Sequence, residues 1–183
     1  MIFNKGIFST WGGRHSIEPD RPKIHPEMGP FDWLLEASAL ILILTFAGFL
    51  LYQYPKVPDT VPTHFNGTGV ADEYGDKTTL LMFPGITIFL YILLTILNLI
   101  PHKFNYPGKI TPENALRQYT LAVRLLRFLK IFLTGLFFYI CYSTIKIANH
   151  EISGLDIWVI PLILGLVIIP MILYLILATK KRN

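Results

Sequence analysis

The sequence predicts an all-α membrane protein: an antiparallel bundle of four transmembrane helices with a structured external loop between helices 1 and 2. Hydrophobic residues make up 52% of the 183-residue chain and charged residues only 15%, whereas a soluble domain carries roughly 25% charged residues. The hydrophobic residues also lie in long uninterrupted blocks, which is typical of helices surrounded by lipid. Lysine and arginine cluster in every second segment that flanks or connects these blocks. This distribution is expected when a chain crosses a bilayer repeatedly.

Three blocks predict transmembrane helices directly. Residues 37–54, 79–101 and 157–179 contain no charged side chain. A helix needs about 20 residues to cross roughly 30 Å of hydrocarbon. We therefore predict spans at about 35–54, 79–101 and 157–179.

The third span is less regular, because only residues 131–145 are uncharged between Lys130 and Lys146. Extending the span to 125–146 places Arg127 and Lys130 near one interface, where long basic side chains reach the headgroups. A re-entrant segment is the alternative. Residues 102–124 are predicted to be a cytoplasmic amphipathic segment, with Thr111 as N-cap. This segment lies on the membrane or continues directly into the third span.

The distribution of basic residues predicts the orientation. Thirteen of the 16 lysines and arginines lie in the N-terminal segment, between spans two and three with the start of span three, or at the C-terminus. The positive-inside rule then places both termini in the cytoplasm of a multi-pass protein of the cell (inner) membrane. We expect a cytoplasmic segment at 1–33, a transmembrane domain at 34–183, and a first span that acts as an uncleaved signal anchor.

The loop at 55–78 is predicted to form a defined external cap. Joining two spans requires only a few residues, so its length suggests a purpose. Three prolines stiffen it, and Asn66-Gly67 favours a tight turn. Its candidate binding residues are Pro62, Thr63, His64, Phe65, Asn66, Gly69, Asp72, Tyr74 and Lys77.

The same loop carries the pattern P-x-x-V-P-T-H-F-N-x-x-G-x-x-D-x-Y-G-x-K, followed by an apolar span with an early proline. This pattern resembles the N-terminal domain of unknown function of the bacterial SdpI-type family, and the likeness covers about residues 35–105. The resemblance implies a role in immunity to a sporulation-delaying-protein toxin. The Arg-Pro-Asn and Gly-Ile-Arg-Thr-like motifs of the longer family members are absent after Pro107. The matching residues are Pro58, Val61, Pro62, Thr63, His64, Phe65, Asn66, Gly69, Asp72, Tyr74, Gly75, Lys77 and Pro84.

No catalytic, cofactor or metal motif is present in the sequence. Gly-x-Ser-x-Gly and His-Glu-x-x-His are both absent. His64 lies among carboxylates, so it can be a structural hydrogen-bonding residue, a pH sensor or a metal ligand. The lone Cys141 excludes an intrachain disulfide. The net charge of +4 is assigned to lipid headgroups and not to nucleic acid.

These observations predict a non-enzymatic membrane protein without a cofactor. Its external loop would recognise a peptide, a lipid or a membrane-protein partner, and toxin immunity or envelope signalling are the roles that the resemblance implies. Two alternatives remain open. One is a small metal-dependent membrane enzyme that uses His64 and His150, and the other is an accessory subunit of a larger membrane complex.

Overall fold

The computed structural model describes residues 21–180, which form four long helices and one β-hairpin. Short 3-10 turns occupy Tyr54–Lys56, Lys77–Leu81 and Pro101–Lys103. The predicted segment at 1–33 therefore lies mostly outside the described residues. The longer elements are α1 (Pro30–Gln53), β1 (Thr60–Phe65), β2 (Ala71–Asp76), α2 (Met82–Leu97), α3 (Pro112–Ala148) and α4 (Val159–Thr179).

The protein is mostly helical, but the all-α prediction was wrong for the segment between α1 and α2. Here β1 and β2 pair as an antiparallel two-stranded sheet. Extended backbone is favoured locally because β1 contains Val61 and two threonines, and because Pro62 disfavours helical dihedrals at the preceding residue. Pairing with β2 then satisfies the backbone groups that the extended strand exposes.

Three helical segments are long and apolar enough to cross a membrane: Pro30–Lys56, Lys77–Leu97 and Val159–Thr179. Few of their side chains are covered by the rest of the protein, and the most apolar window of α4 contains no buried residue. Such extensive apolar exposure suits lipid and would be costly in water. The structure thus bears out a membrane protein with several apolar helices.

Helix α3 joins the two regions that the sequence analysis divided at about residue 125. An amphipathic segment at 102–124 was predicted either to lie on the membrane or to continue directly into a span at 125–146. One continuous helix runs over Pro112–Ala148, as in the second alternative. Thr111 caps its N-terminus together with Asn114, whose side-chain oxygen accepts from the Thr111 backbone N–H at 2.9 Å. No proline follows Pro112 within this helix. Its backbone hydrogen bonds therefore continue without a break past residue 125, where lipid contact was expected to begin.

The ends of the other predicted spans also shift. Helix α1 starts at Pro30, about one turn earlier than predicted, because Asp32 closes a capping box with the backbone N–H of Gly29 at 3.1 Å. Helix α2 ends at Leu97 and not at Pro101. Pro101 instead starts a separate 3-10 turn, since its ring is tolerated at the first position of a helix but not in its interior.

Helix α3 packs against each of the other three long helices. It runs parallel to α1, since Asp32 contacts Arg124 at one end and the Phe46 ring stacks on Phe138 farther along, with centroids 5.0 Å apart. One end of the structure therefore holds the starts of α1 and α3 and the ends of α2 and α4, and we call it the basic end. The opposite end, which holds the hairpin and the α3–α4 connection, is the hairpin end.

The main hydrophobic core lies toward the hairpin end and joins α1, α3 and the hairpin. Helices surrounded by lipid are held together mainly by close packing, because lipid tails are as apolar as leucine. The hairpin thus shares the core of the helices. The core residues are Phe46, Leu50, Val57, Val61, Leu80, Cys141, Ile145 and Ala148.

Candidate functional site

The two strands of the hairpin pair in an irregular register, and β1 packs against α3. Thr60 pairs with Asp76 and Val61 with Gly75, and the register shifts between Pro62 and His64. A bulge of this kind bends a strand and re-aims its side chains. Val61 and Pro62, just before the bulge, are both buried, although neighbouring residues on a regular strand point to opposite faces.

The Asn66 side chain organises the turn between the two strands. Its Oδ1 accepts hydrogen bonds from the backbone N–H groups of Thr68 and Val70 at 3.0 and 3.1 Å, and from the Thr68 hydroxyl at 2.7 Å. An Asx side chain that replaces backbone acceptors in this way fixes a tight turn. Asn66 is therefore explained by the architecture of the loop.

The tip of the hairpin is docked onto the α3–α4 connection through backbone atoms. The Leu155 N–H donates to the Gly69 carbonyl oxygen at 2.8 Å. Gly69 has a φ of +83°, and a Cβ there would lie 2.6 Å from the Leu155 oxygen. A Cβ on Gly154 would lie 2.7 Å from the Gly69 oxygen. Only glycine allows this approach at both positions, so the two connections form one surface.

An ion pair closes the base of the hairpin. Lys77 Nζ lies 2.8 Å from Asp59 Oδ1, and the Lys77 backbone N–H donates to the Asp59 carbonyl oxygen at 2.9 Å. Asp76 caps the following turn by accepting from the Thr78 N–H at 2.7 Å. The hairpin is thus held at its base, along its buried edge and at its tip.

The outer face of the hairpin carries a polar pair. His64 Nδ1 lies 2.6 Å from Asp72 Oδ1, and both side chains are exposed. The Asp72 carboxylate, by hydrogen bonding and by charge, raises the pKa of His64 above 6.5, and the nearby Glu73 adds to this effect. Tyr74 is exposed on the same strand. This face can offer an imidazolium, carboxylates and an aromatic ring to a binding partner.

The nine predicted binding residues fall into two groups. Thr63, His64, Asp72 and Tyr74 are exposed on the hairpin, where a partner could touch them. The others have architectural contacts or partial burial, and they are Pro62, Phe65, Asn66, Gly69 and Lys77. In residues 21–180 the structure shows no group of three histidine, cysteine or acidic side chains arranged to hold a metal ion.

A second polar cluster, which the sequence analysis missed, lies at the basic end. We call it the ionic cluster, and it joins two carboxylates of α1 to three cations of α3. Arg124 binds Asp32 in a bidentate fashion at 2.9 and 3.0 Å. Its members are Asp32, Glu36, Arg124, Arg127 and Lys130.

The centre of the ionic cluster is buried. Arg127 lies between both acids, 2.7 Å from Asp32 and 3.1 Å from Glu36. Lys130 is fully buried, with Nζ 2.5 Å from Glu36 and 3.2 Å from the Thr95 hydroxyl of α2. Lys130 also lies over the Tyr91 ring. Charges buried at this depth require such partners, so the cluster fixes the relative positions of α1, α2 and α3.

The sequence did contain an indication of this cluster. Asp32 and Glu36 are four residues apart, which places them on one helical face. Arg124, Arg127 and Lys130 are spaced by three residues and likewise share a face. The sequence analysis directed Arg127 and Lys130 to the lipid headgroups and gave Asp32 and Glu36 no role, so it did not pair the two sets.

Comparison with known proteins locates the hairpin within a described sequence region. Residues 40–88 match the family described as a domain of unknown function (DUF1648). A protein of Archaeoglobus fulgidus, itself uncharacterized, is 33% identical over 95 residues, covering 42% of this chain and 52% of that protein. The chain thus aligns with about half of its archaeal relative. No solved structure matches significantly. The end of α1, the hairpin and the start of α2 together form the DUF1648-like part of this protein.

Proposed function

We propose that this protein is a non-enzymatic, multi-pass module of the cell membrane whose hairpin recognises a peptide, lipid or membrane-protein partner outside the cell. The observation that carries the proposal is the docked hairpin. It shares the helical core through Val61, is locked at Gly69, and leaves His64, Asp72 and Tyr74 exposed. A binding surface that is already ordered loses little conformational entropy when a partner binds.

The proposal includes four membrane crossings. Most charged side chains of α3 lie in its first half, and residues 131–145 carry none. Arg127 and Lys130 face α1 carboxylates and are shielded from lipid. Its 37 residues extend over roughly 55 Å at 1.5 Å per residue, so it can cross the bilayer and continue beyond it. The concentration of lysine and arginine at the basic end supports a cytoplasmic position for that end.

The specific role within this class follows from the family resemblance. The loop pattern is similar to that of the SdpI-type family, which supports toxin immunity or envelope signalling. The match to DUF1648 over residues 40–88 includes the hairpin, so the resemblance concerns the same surface that the geometry singles out.

The sidedness can be tested with engineered cysteines. Cys141 is buried, so it provides an unreactive background for a membrane-impermeant thiol reagent. Thr68→Cys at the hairpin tip should react in intact cells. Asn105→Cys, in the exposed α2–α3 connection, should react only after the membrane is opened. Labelling of Asn105→Cys in intact cells, with Thr68→Cys protected, would reverse the orientation and remove the proposal.

Recognition can be tested by photo-cross-linking in the native cell. A photoreactive residue at Tyr74 should yield one discrete adduct, which the double variant His64→Ala, Asp72→Ala should lose at unchanged protein level. A photoreactive residue at Leu93, on the exposed face of α2, is the matched control for random lipid and protein contacts. An adduct at Tyr74 that persists in the double variant would contradict recognition by this face.

A further inference from the structure

A cleft of about 700 Å³ opens at the basic end, where the start of α3 meets the end of α4. Its walls also include the connection that precedes α3. The cleft shares no lining residue with the ionic cluster and lies at the opposite end from the hairpin. It therefore belongs to neither of the sites described above.

Three cations line this cleft, and none of them pairs with a carboxylate of residues 21–180. Arg117 donates to the Lys180 carbonyl oxygen at 3.1 Å and to the Leu177 carbonyl oxygen, so it holds the last turn of α4. These acceptors are neutral and leave the positive charge of Arg117 uncompensated. Within residues 21–180, Arg117, Lys109 and Lys180 form no ion pair. Glu113 is the one acidic side chain in the lining, so the cleft has a net positive charge.

Gln118 also lines the cleft. Gln118 is 8% exposed, and its Nε2 donates to the Ala178 carbonyl oxygen at 2.7 Å. Its Oε1 is buried and accepts no hydrogen bond from the described part of the chain. Because this oxygen has almost no accessible surface, a donor in the cleft does not reach it. Gln118 instead ties the start of α3 to the last turn of α4 and so fixes one wall of the cleft.

The position of the cleft indicates the source of the ligand. Helix α4 is the most apolar of the candidate spans and ends at Thr179, so the cleft lies where that helix leaves the hydrocarbon. Basic pockets between membrane helices bind anionic lipid headgroups through their lysine and arginine side chains. A soluble anion would meet the same charges without the apolar helix beside it.

We propose that this cleft binds the headgroup of an anionic phospholipid such as phosphatidylglycerol. The phosphate lies among Lys109, Arg117 and Lys180. The site shares with the proposed function only the membrane setting of α4. It does not depend on which partner the hairpin binds.

The test uses the purified full-length chain in nanodiscs of phosphatidylcholine, with lipid binding followed by native mass spectrometry and by thermal stability. Phosphatidylglycerol should bind and stabilise the protein. Phosphatidylmethanol, which has the same charge but no hydroxyl, should bind with similar affinity, because the cations contact the phosphate. The double variant Lys109→Gln, Lys180→Gln should lose on the order of tenfold in affinity. The variant Lys23→Gln, Lys103→Gln removes the same charge from exposed positions outside the cleft and should behave like the wild type.

Equal binding of phosphatidylcholine and phosphatidylglycerol, or equal losses in the two double-lysine variants, would overturn the proposal. Full competition by inorganic phosphate at the same concentration would show a site for a free anion and would also overturn it.

Discussion

Asp32 of α1 and Arg127 of α3, 95 residues apart in the chain, form a buried ion pair with Oδ1 and Nη1 separated by 2.7 Å. The Asp32 side chain is 1% exposed and that of Arg127 is 8% exposed. Their burial explains how a helix with three cations within two turns can pack at the centre of apolar helices. Removing one partner would leave a charge in a region where neither water nor lipid can solvate it.

Arg127→Met should destabilise the protein strongly, because Arg127 serves both Asp32 and Glu36. Loss of one partner from a buried ion pair costs roughly 3–5 kcal/mol. Arg124→Gln is the matched control, since the Arg124 side chain is 40% exposed and Asp32 would still form its ion pair with Arg127. We expect this change to cost about 1 kcal/mol or less. Unfolding in detergent followed by tryptophan fluorescence measures both, and equal destabilisation would contradict the buried role of Arg127.

Gly69→Ala should separate the hairpin from the α3–α4 connection. The new Cβ would meet the Leu155 carbonyl oxygen, and a residue other than glycine at a positive φ costs about 1–3 kcal/mol in addition. Hydrogen exchange should show faster exchange of the Leu155 amide, which donates to Gly69.

Gly67→Ala is the control for that experiment, because a Cβ at Gly67 would have no atom within 4 Å and the residue has no positive φ. It should leave the exchange of the Leu155 amide nearly unchanged. If the Leu155 amide stays protected from hydrogen exchange in Gly69→Ala, the hairpin tip is held by contacts other than those between the Gly69 and Leu155 backbones.

The His64–Asp72 pair should make the hairpin sensitive to pH. Because the pKa of His64 is raised in the folded state, the pair stabilises the hairpin fully below pH 6.5, the ordinary value. This contribution is lost as the pH rises from 6.5 through the raised pKa. Asp72→Asn should move the pKa of His64 back toward 6.5, measured by NMR on histidine-labelled protein with His64→Asn for assignment.

Glu73→Gln provides the comparison within the same strand. Glu73 acts on His64 only through its charge and is the smallest contributor, so its removal should lower the pKa of His64 less than Asp72→Asn does. A larger effect from Glu73→Gln would show that the hydrogen bond to Asp72 is not the main cause of the raised pKa.

The part of the candidate site that could be predicted was local. Asn66-Gly67 indicated a turn because asparagine and glycine carry that preference in their own dihedrals and side chains. The docking of Gly69 on Leu155 could not be predicted, since the two residues meet only after α2 and α3 have folded between them. Likewise, the alternation of apolar and polar residues predicts neither the hairpin register nor the bulge after Pro62. Both depend on which side of the hairpin packs against the helices.

The sequence by itself determined that this protein carries several helices suited to lipid. A helix of about 20 uncharged, mostly apolar residues is energetically favourable in the hydrocarbon of a bilayer and unfavourable in water. The sequence also indicated an ordered segment between the first two of these helices. The tertiary structure decided that α3 is one central helix and that its cations face Asp32 and Glu36. Hydropathy averages over all faces of a helix, whereas the energy of a charge depends on what its own face meets.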